Sequence, residues 1–378
     1  MNEIIKNGGV QTLPKVRNSN LELFRILTMI SIVAHHYIVN SGLMATDGVI
    51  TSNSTSIHSI ILLLVGAWGK IGINSFVLIT GYFMCKSNIT LKKFLKIVCE
   101  WLFYKYAIGC AFWISGYSTF SFKNLVKLLI PIQNISDGFT SAFVMFFLFI
   151  PFLNILVKNM NERQHIKLLL LLGFVYVFLA TVPFLHVTFN YVSWFMVLYL
   201  ISSYIRLYPR AIFDNTKIWG ALLVFFTFIC ALSVIVCDFL LKGSFYRFVA
   251  DSNQLLAVIE AVCAFMFFKN LIIKNSKIIN IIASATFGVL CIHAASDDMR
   301  SWLWGNTLNV VGVHSTGNGY IHMILSILGV YSICTVIDIV RIYILEKPLF
   351  KQLDKRIPKI NEKYTAFENK VCKKLNIQ

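Results

Sequence analysis

The sequence predicts an all-α fold: a polytopic membrane helical bundle of about ten transmembrane helices with both termini in the cytoplasm. Three observations predict it. Of 378 residues, 57% are hydrophobic and only 13% charged, where a soluble domain carries about 45–50% apolar and about 25% charged residues. Apolar runs close to the length needed to cross a bilayer recur along the chain. The lysines and arginines crowd into alternate connections between those runs. This composition excludes a soluble enzyme, a disordered chain and a disulfide-stapled secreted domain.

Residues 1–20 are mostly polar, hold Lys6, Lys15 and Arg17, and read as a cytoplasmic N-terminal segment. The first apolar run, roughly 21–41, lacks a small-residue cleavage site and reads as a retained span, not a removed signal. Nine further runs follow, at roughly 59–84, 97–116, 140–157, 168–185, 191–206, 218–241, 253–271, 278–295 and 319–343. Residues 21–346 thus form the membrane domain. Residues 347–378 form a basic cytoplasmic tail with Pro348 and Pro358, expected to lie on the anionic lipid of the inner leaflet.

Orientation follows from charge. With the N-terminus inside and the spans alternating, cytoplasmic segments and the span ends beside them hold 26 of the 34 Lys and Arg. The outer connections hold Lys123, Lys127, Lys242, Arg247 and Arg300, while Arg25, Lys70 and Lys105 fall inside spans. Such an excess on one side sets orientation. It also accounts for the net charge of +17 without a nucleic-acid partner. The nine cysteines form no C-x-x-C and sit mostly inside apolar runs, so they read as small buried hydrophobes. Neither a disulfide framework nor a metal site is expected.

Ionisable groups within a span are costly when they face lipid, which makes them functional candidates. The first span holds Glu22, Arg25, His35 and His36. Arg25 and His36 lie close to three helical turns apart, within about 20° of the same face and about 16 Å along the axis. Glu22 falls about 40° from His36, and His35 about 100° from its neighbour. Two readings follow. Glu22 and Arg25 form an i,i+3 ion pair at the inner interface while the histidines satisfy helix contacts, or the four form part of a site. Glu100 and Glu260 are further acids inside spans, with no role assignable from sequence.

An Arg-x10-His in the first span, preceded by Leu21-Glu22-Leu23-Phe24, resembles the opening of the acyltransferase 3 family. Further segments resemble that family in order: Gly69-Lys-Ile-Gly72-Ile-Asn74-Ser-Phe76 leading to Thr80-Gly81-Tyr82-Phe83; a helix led by Trp194 with Tyr199 and Tyr204; Thr286-Phe287-Gly288 leading to His293; and Arg341-x-Tyr343 with Glu346-x-Pro348. Cys291 stands where that family usually has Tyr, and Thr80 where Ser is commoner.

The resemblance implies a membrane O-acyltransferase, multi-pass in a bacterial plasma membrane. It would move an acyl group, acetyl first among the choices, from cytoplasmic acyl-CoA to a hydroxyl of a cell-surface glycan or lipid-linked saccharide. It implies His36 as general base or transient acyl carrier, with His35 as the alternative. Arg25 is implied to bind the phosphates of the donor, since its planar fork suits them. Glu22, His293 and Glu346 are further candidates: Glu22 to orient Arg25, His293 near the outer end of its span, and Glu346 at the inner interface, where Arg341 or Lys347 is its expected partner. The alternatives are a glycan polymerase or flippase, expected to carry a large basic outer loop, and a secondary transporter, expected to show repeated halves. Neither feature is found in the sequence.

Overall fold

The computed structural model describes residues 5–6, 9–10 and 17–374, apart from 131, 133–137, 183, 186, 188–189, 242–243 and 317–318. Much of the expected N-terminal segment, Lys15 included, lies outside the described residues. A two-residue pairing joins Ile5–Lys6 to Gly9–Val10. The remaining described elements are helical.

In chain order the main helices are α1 (Ser19–Val39), α2 (Ile57–Gly66), α3 (Gly69–Met84), α4 (Leu91–Ile114), α5 (Phe122–Leu129), α6 (Phe139–Asn159) and α7 (Glu162–Leu172). After them come α8 (Tyr191–Leu207), α9 (Thr216–Leu240), α10 (Leu255–Asn270), α11 (Lys277–His293), α12 (Asp297–Ser315), α13 (Gly319–Arg341) and α14 (Lys347–Lys374). Several begin on a side chain that accepts from the first turn. Thr90, Ser121, Asn190, Asn215 and Ser276 do this for α4, α5, α8, α9 and α11, and Asn161 with Gln164 closes a capping box on α7.

The protein is a multi-pass membrane protein. Among the described residues, seven helices are long and apolar enough to span a bilayer, with α2 and α3 taken together, α7 taken with its continuation to Thr181 and α13 with its continuation to Pro358. The number is eight if α11 and α12, bent by 97°, form one span. Each of the ten expected apolar runs falls on helix, but α8 has 17 residues and α10 only 16. Short and broken helices at membrane depth are tolerated where neighbouring protein or a cavity covers them.

Burial separates the interior from the rim. The apolar window of Ile57–Met84 is 61% buried, against 17% for α9 and 11% for Glu162–Thr181, so the last two leave most of their apolar residues unburied by protein. The interior is organised on α1, which packs against α2, α3, α10, α11 and α13. Phe24, Met29, Ile32, Val33 and Tyr37 of α1 are all buried. Some polar side chains in this core fasten helices together. Asn74 accepts from the Trp194 indole at 2.9 Å and donates to the carbonyls of Ser252 and Ala257, fastening α3 to α8 and α10.

Two features of this scaffold place the site. The helix break between α2 and α3 leaves the Gly66 carbonyl free at a helix end. Gly69, just past the break, lies so close to α1 that a Cβ there would come within 2.2 Å of His35 Cγ. Only glycine lets α1 carry two adjacent histidines against this break.

Candidate active site

His36 of α1 and His293 at the end of α11 meet inside the bundle. His36 Nδ1 lies 2.9 Å from His293 Nε2. His293 is fully buried, and its Nδ1 lies 2.6 Å from the Val289 carbonyl oxygen one turn back. A carbonyl oxygen only accepts, so His293 Nδ1 carries the proton and Nε2 presents a lone pair. His36 must then donate from Nδ1, which leaves Nε2 as the lone pair of its neutral ring. One carbonyl thus sets the tautomer of two histidines in series. His293, at the end of its helix, occupies a buried position in the bundle.

His35 is held differently. Its Nδ1 lies 2.6 Å from the Gly66 carbonyl oxygen, so the ring donates to the α2 terminus and secures the helix break. Both His35 and His36 line a cavity of about 700 Å³. This cavity lies at the end of the bundle where four segments meet: the connection after α4, the inner face of α5, the start of α6 and the start of α12. Ser118, Thr140 and Ser141 supply hydroxyls to its wall, and Trp101 and Trp113 supply aromatic faces.

Its charged lining was not assembled from sequence. Lys70, Lys105, Lys127 and Arg300 line it, with Asp297 and Asp298. Lys70 Nζ donates to the Tyr191 hydroxyl at 2.7 Å. Lys105 Nζ donates to the Ile130 carbonyl at 2.6 Å. Arg300 pairs with Asp297 at 2.7 Å, and Asp298 accepts from Ser118 at 2.5 Å. A signal for these cations was present. Eight cations fall outside the expected cytoplasmic segments, and four of those eight line this one cavity.

The other sequence candidates sit elsewhere. Arg25 and Glu22 form the i,i+3 pair, Nη1 to Oε2 at 3.4 Å, and neither lines the cavity. Arg25 is partly buried, on the helical face of His36 but about three turns away. Glu346 accepts from Arg341 at 2.9 Å and from Lys96 at 2.5 Å. It belongs to a buried ion cluster in which Arg341 also meets Asp338 at 2.7 Å and Glu100 at 3.1 Å. That cluster gives Glu100 a partner that the sequence did not reveal. Glu260 accepts from Thr227 at 2.6 Å beside a smaller crevice.

The arrangement has the parts that proton transfer needs: an imidazole with a defined lone pair, a partner that holds its other nitrogen, and a cavity in which two reactants can meet. A family model described as an acyltransferase domain matches residues 18–339, nearly the whole membrane part of the chain. Comparison with curated proteins and with solved structures gave no match.

Proposed function

As the chain belongs to this acyltransferase family, we propose that it transfers an acetyl group from cytoplasmic acetyl-CoA to a hydroxyl of a cell-surface glycan or lipid-linked saccharide. The observation that carries the reading is the series Val289 carbonyl, His293, His36, with the free His36 Nε2 beside the cavity.

In this reading His36 Nε2 accepts the proton of the acceptor hydroxyl as its oxygen attacks the thioester carbonyl. His293 Nε2 holds the His36 Nδ1 proton throughout, so the imidazolium that forms stays oriented and hydrogen-bonded. The tetrahedral oxyanion collapses, the carbon–sulfur bond breaks, and His36 returns its proton to the departing thiolate. The products are an O-acetyl ester and coenzyme A.

The donor is proposed to rest its phosphates at Arg25. Glu22 engages one of the five guanidinium donors and leaves others for a phosphate. The pantetheine arm would then bridge the rise of about 16 Å to His36. This assigns α1 its proposed orientation, with Arg25 toward the cytoplasm, and fits a topology of ten spans with both termini inside, in a bacterial plasma membrane. The charge distribution supports that topology.

Mass spectrometry of surface glycans from cells carrying the gene, lacking it, or carrying His36→Ala tests the reading. The acetyl increment is expected only with the wild-type gene. Its persistence without the gene would refute the assignment.

A further inference from the structure

We propose that the acceptor is an anionic saccharide, bearing a phosphate or carboxylate that binds among Lys70, Lys105 and Lys127 in the cavity beside His36. The proposal rests on the acyl-transfer reading above and names the substrate class that the same site would take.

The first argument is placement. The expected topology puts nearly all cations on the cytoplasmic side. The exceptions are few, yet half of them gather here: Lys70 from α3, Lys105 from α4, Lys127 from α5 and Arg300 from α12. Four separate helices bring these cations to the lining of one cavity, and two of them, Lys70 and Lys105, come from spans, where a lysine costs several kcal/mol when it faces lipid. Helices that merely anchor at an interface do not require such convergence.

The second argument is compensation. Among the described residues, Lys70, Lys105 and Lys127 form no ion pair with a carboxylate. Lys70 meets a phenol hydroxyl and Lys105 meets backbone carbonyls, so both are hydrogen-bonded and neither is neutralised. The two acids of the cavity do not serve them. Asp297 is paired with Arg300 and its side chain is 95% exposed, and Asp298 accepts from Ser118 and keeps its charge, so two acids face four cations in the lining. Elsewhere in the bundle the structure neutralises a buried cation from within, as at Arg341. The cavity therefore retains excess positive charge that a bound anion would answer.

The third argument is access. These cations share the cavity with the inner face of α5, whose other face leaves Phe122 and Leu129 exposed. An amphipathic helix of this kind lies in the membrane interface. The cation lining is thus expected at the surface level where an envelope saccharide would be presented. Arg25, proposed for the donor phosphates, lies outside the cavity.

The test is direct binding to the full-length protein in non-ionic detergent at low salt. The probes are methyl glucoside, methyl glucuronide and glucose 1-phosphate, with acetyl-CoA measured in parallel. Both anionic sugars are expected to bind about tenfold or more tighter than the neutral one, a preference that falls in high salt. The triple variant Lys70→Gln, Lys105→Gln, Lys127→Gln should lose this preference and keep its acetyl-CoA affinity. Equal affinity for the three sugars in the wild type overturns the proposal. Loss of acetyl-CoA binding with the sugar preference intact overturns it too, by assigning the cations to the donor. If the triple variant does not fold, Lys127→Gln, at the solvent-exposed rim of the cavity, must at least halve the preference, and an unchanged preference overturns the proposal. Binding needs no turnover, so failure of the acyl-transfer reading would appear separately, as absence of acetyl transfer by wild-type protein that still prefers anionic sugars.

Discussion

Around Arg341 the bundle gathers three acids and answers them from within, whereas around His36 it gathers cations and leaves them facing a cavity. Arg341 spends its fork on Asp338, Glu100 and Glu346, Lys96 closes on Glu346 from the other side, and Tyr104 donates to Asp338 at 2.8 Å. Arg341, Asp338, Glu100 and Glu346 are all buried. In the cavity, Lys70, Lys105 and Lys127 have no carboxylate partner among the described residues, and His36 keeps one nitrogen open. Both regions pay the desolvation cost of charge in a bilayer. The closed cluster recovers it by joining α4 to α13 and its continuation. The open one has no carboxylate among the described residues to offset that cost for its lysines. Ionisable residues of this bundle thus include a closed cluster that fastens helices and an open set that lines a cavity.

The sharpest way to break this comparison is His36→Ala. Acetyl transfer per molecule should fall about 10²–10⁴-fold, with membrane abundance unchanged, as measured by labelled acetyl incorporation against quantified protein. The opposite pattern is expected of Arg341→Met. Removing one partner of a buried ion cluster costs about 3–5 kcal/mol. Folded protein recovered in detergent should drop sharply, while each surviving folded molecule turns over at a rate near wild type.

His293→Ala sharpens the comparison within the open site. It removes the group that fixes the His36 tautomer without touching the cavity cations. Turnover should fall about 10- to 100-fold, the scale for loss of a partner that orients a functional histidine, with acetyl-CoA affinity unchanged by equilibrium binding. Gly288→Ala probes the closed site more gently. A Cβ there would approach Asp338 Cγ to 2.2 Å. Overpacking of this kind costs about 1–3 kcal/mol, to be read as a lowered thermal midpoint in detergent with turnover per folded molecule retained.

The helical bundle was legible in sequence because span length and composition are local properties. Each apolar run falls on helix, and the Glu22–Arg25 pair follows from i,i+3 spacing alone. The break between α2 and α3 was not legible. It depends on how closely Gly69 must approach His35, which is a tertiary contact. His293 could be marked as a polar residue near a span end, but its contact with His36 joins residues 257 positions apart in the chain. For the same reason Glu100 had no visible partner, since Arg341 lies on the last membrane helix. The cavity cations were visible only as exceptions to the charge pattern. Their convergence required the packed bundle.

The most direct test of the central claim, that chemistry resides at the open His36 nitrogen and not merely in a polar stretch of α1, compares His36→Ala with His35→Ala at matched membrane abundance. The readout is transfer of labelled acetyl from acetyl-CoA to membrane glycan. His35 donates to Gly66 and holds a helix break, so its loss should leave turnover per folded molecule within about tenfold of wild type, while His36→Ala falls at least about 100-fold. An active His36→Ala protein, with or without an inactive His35→Ala counterpart, would contradict the account.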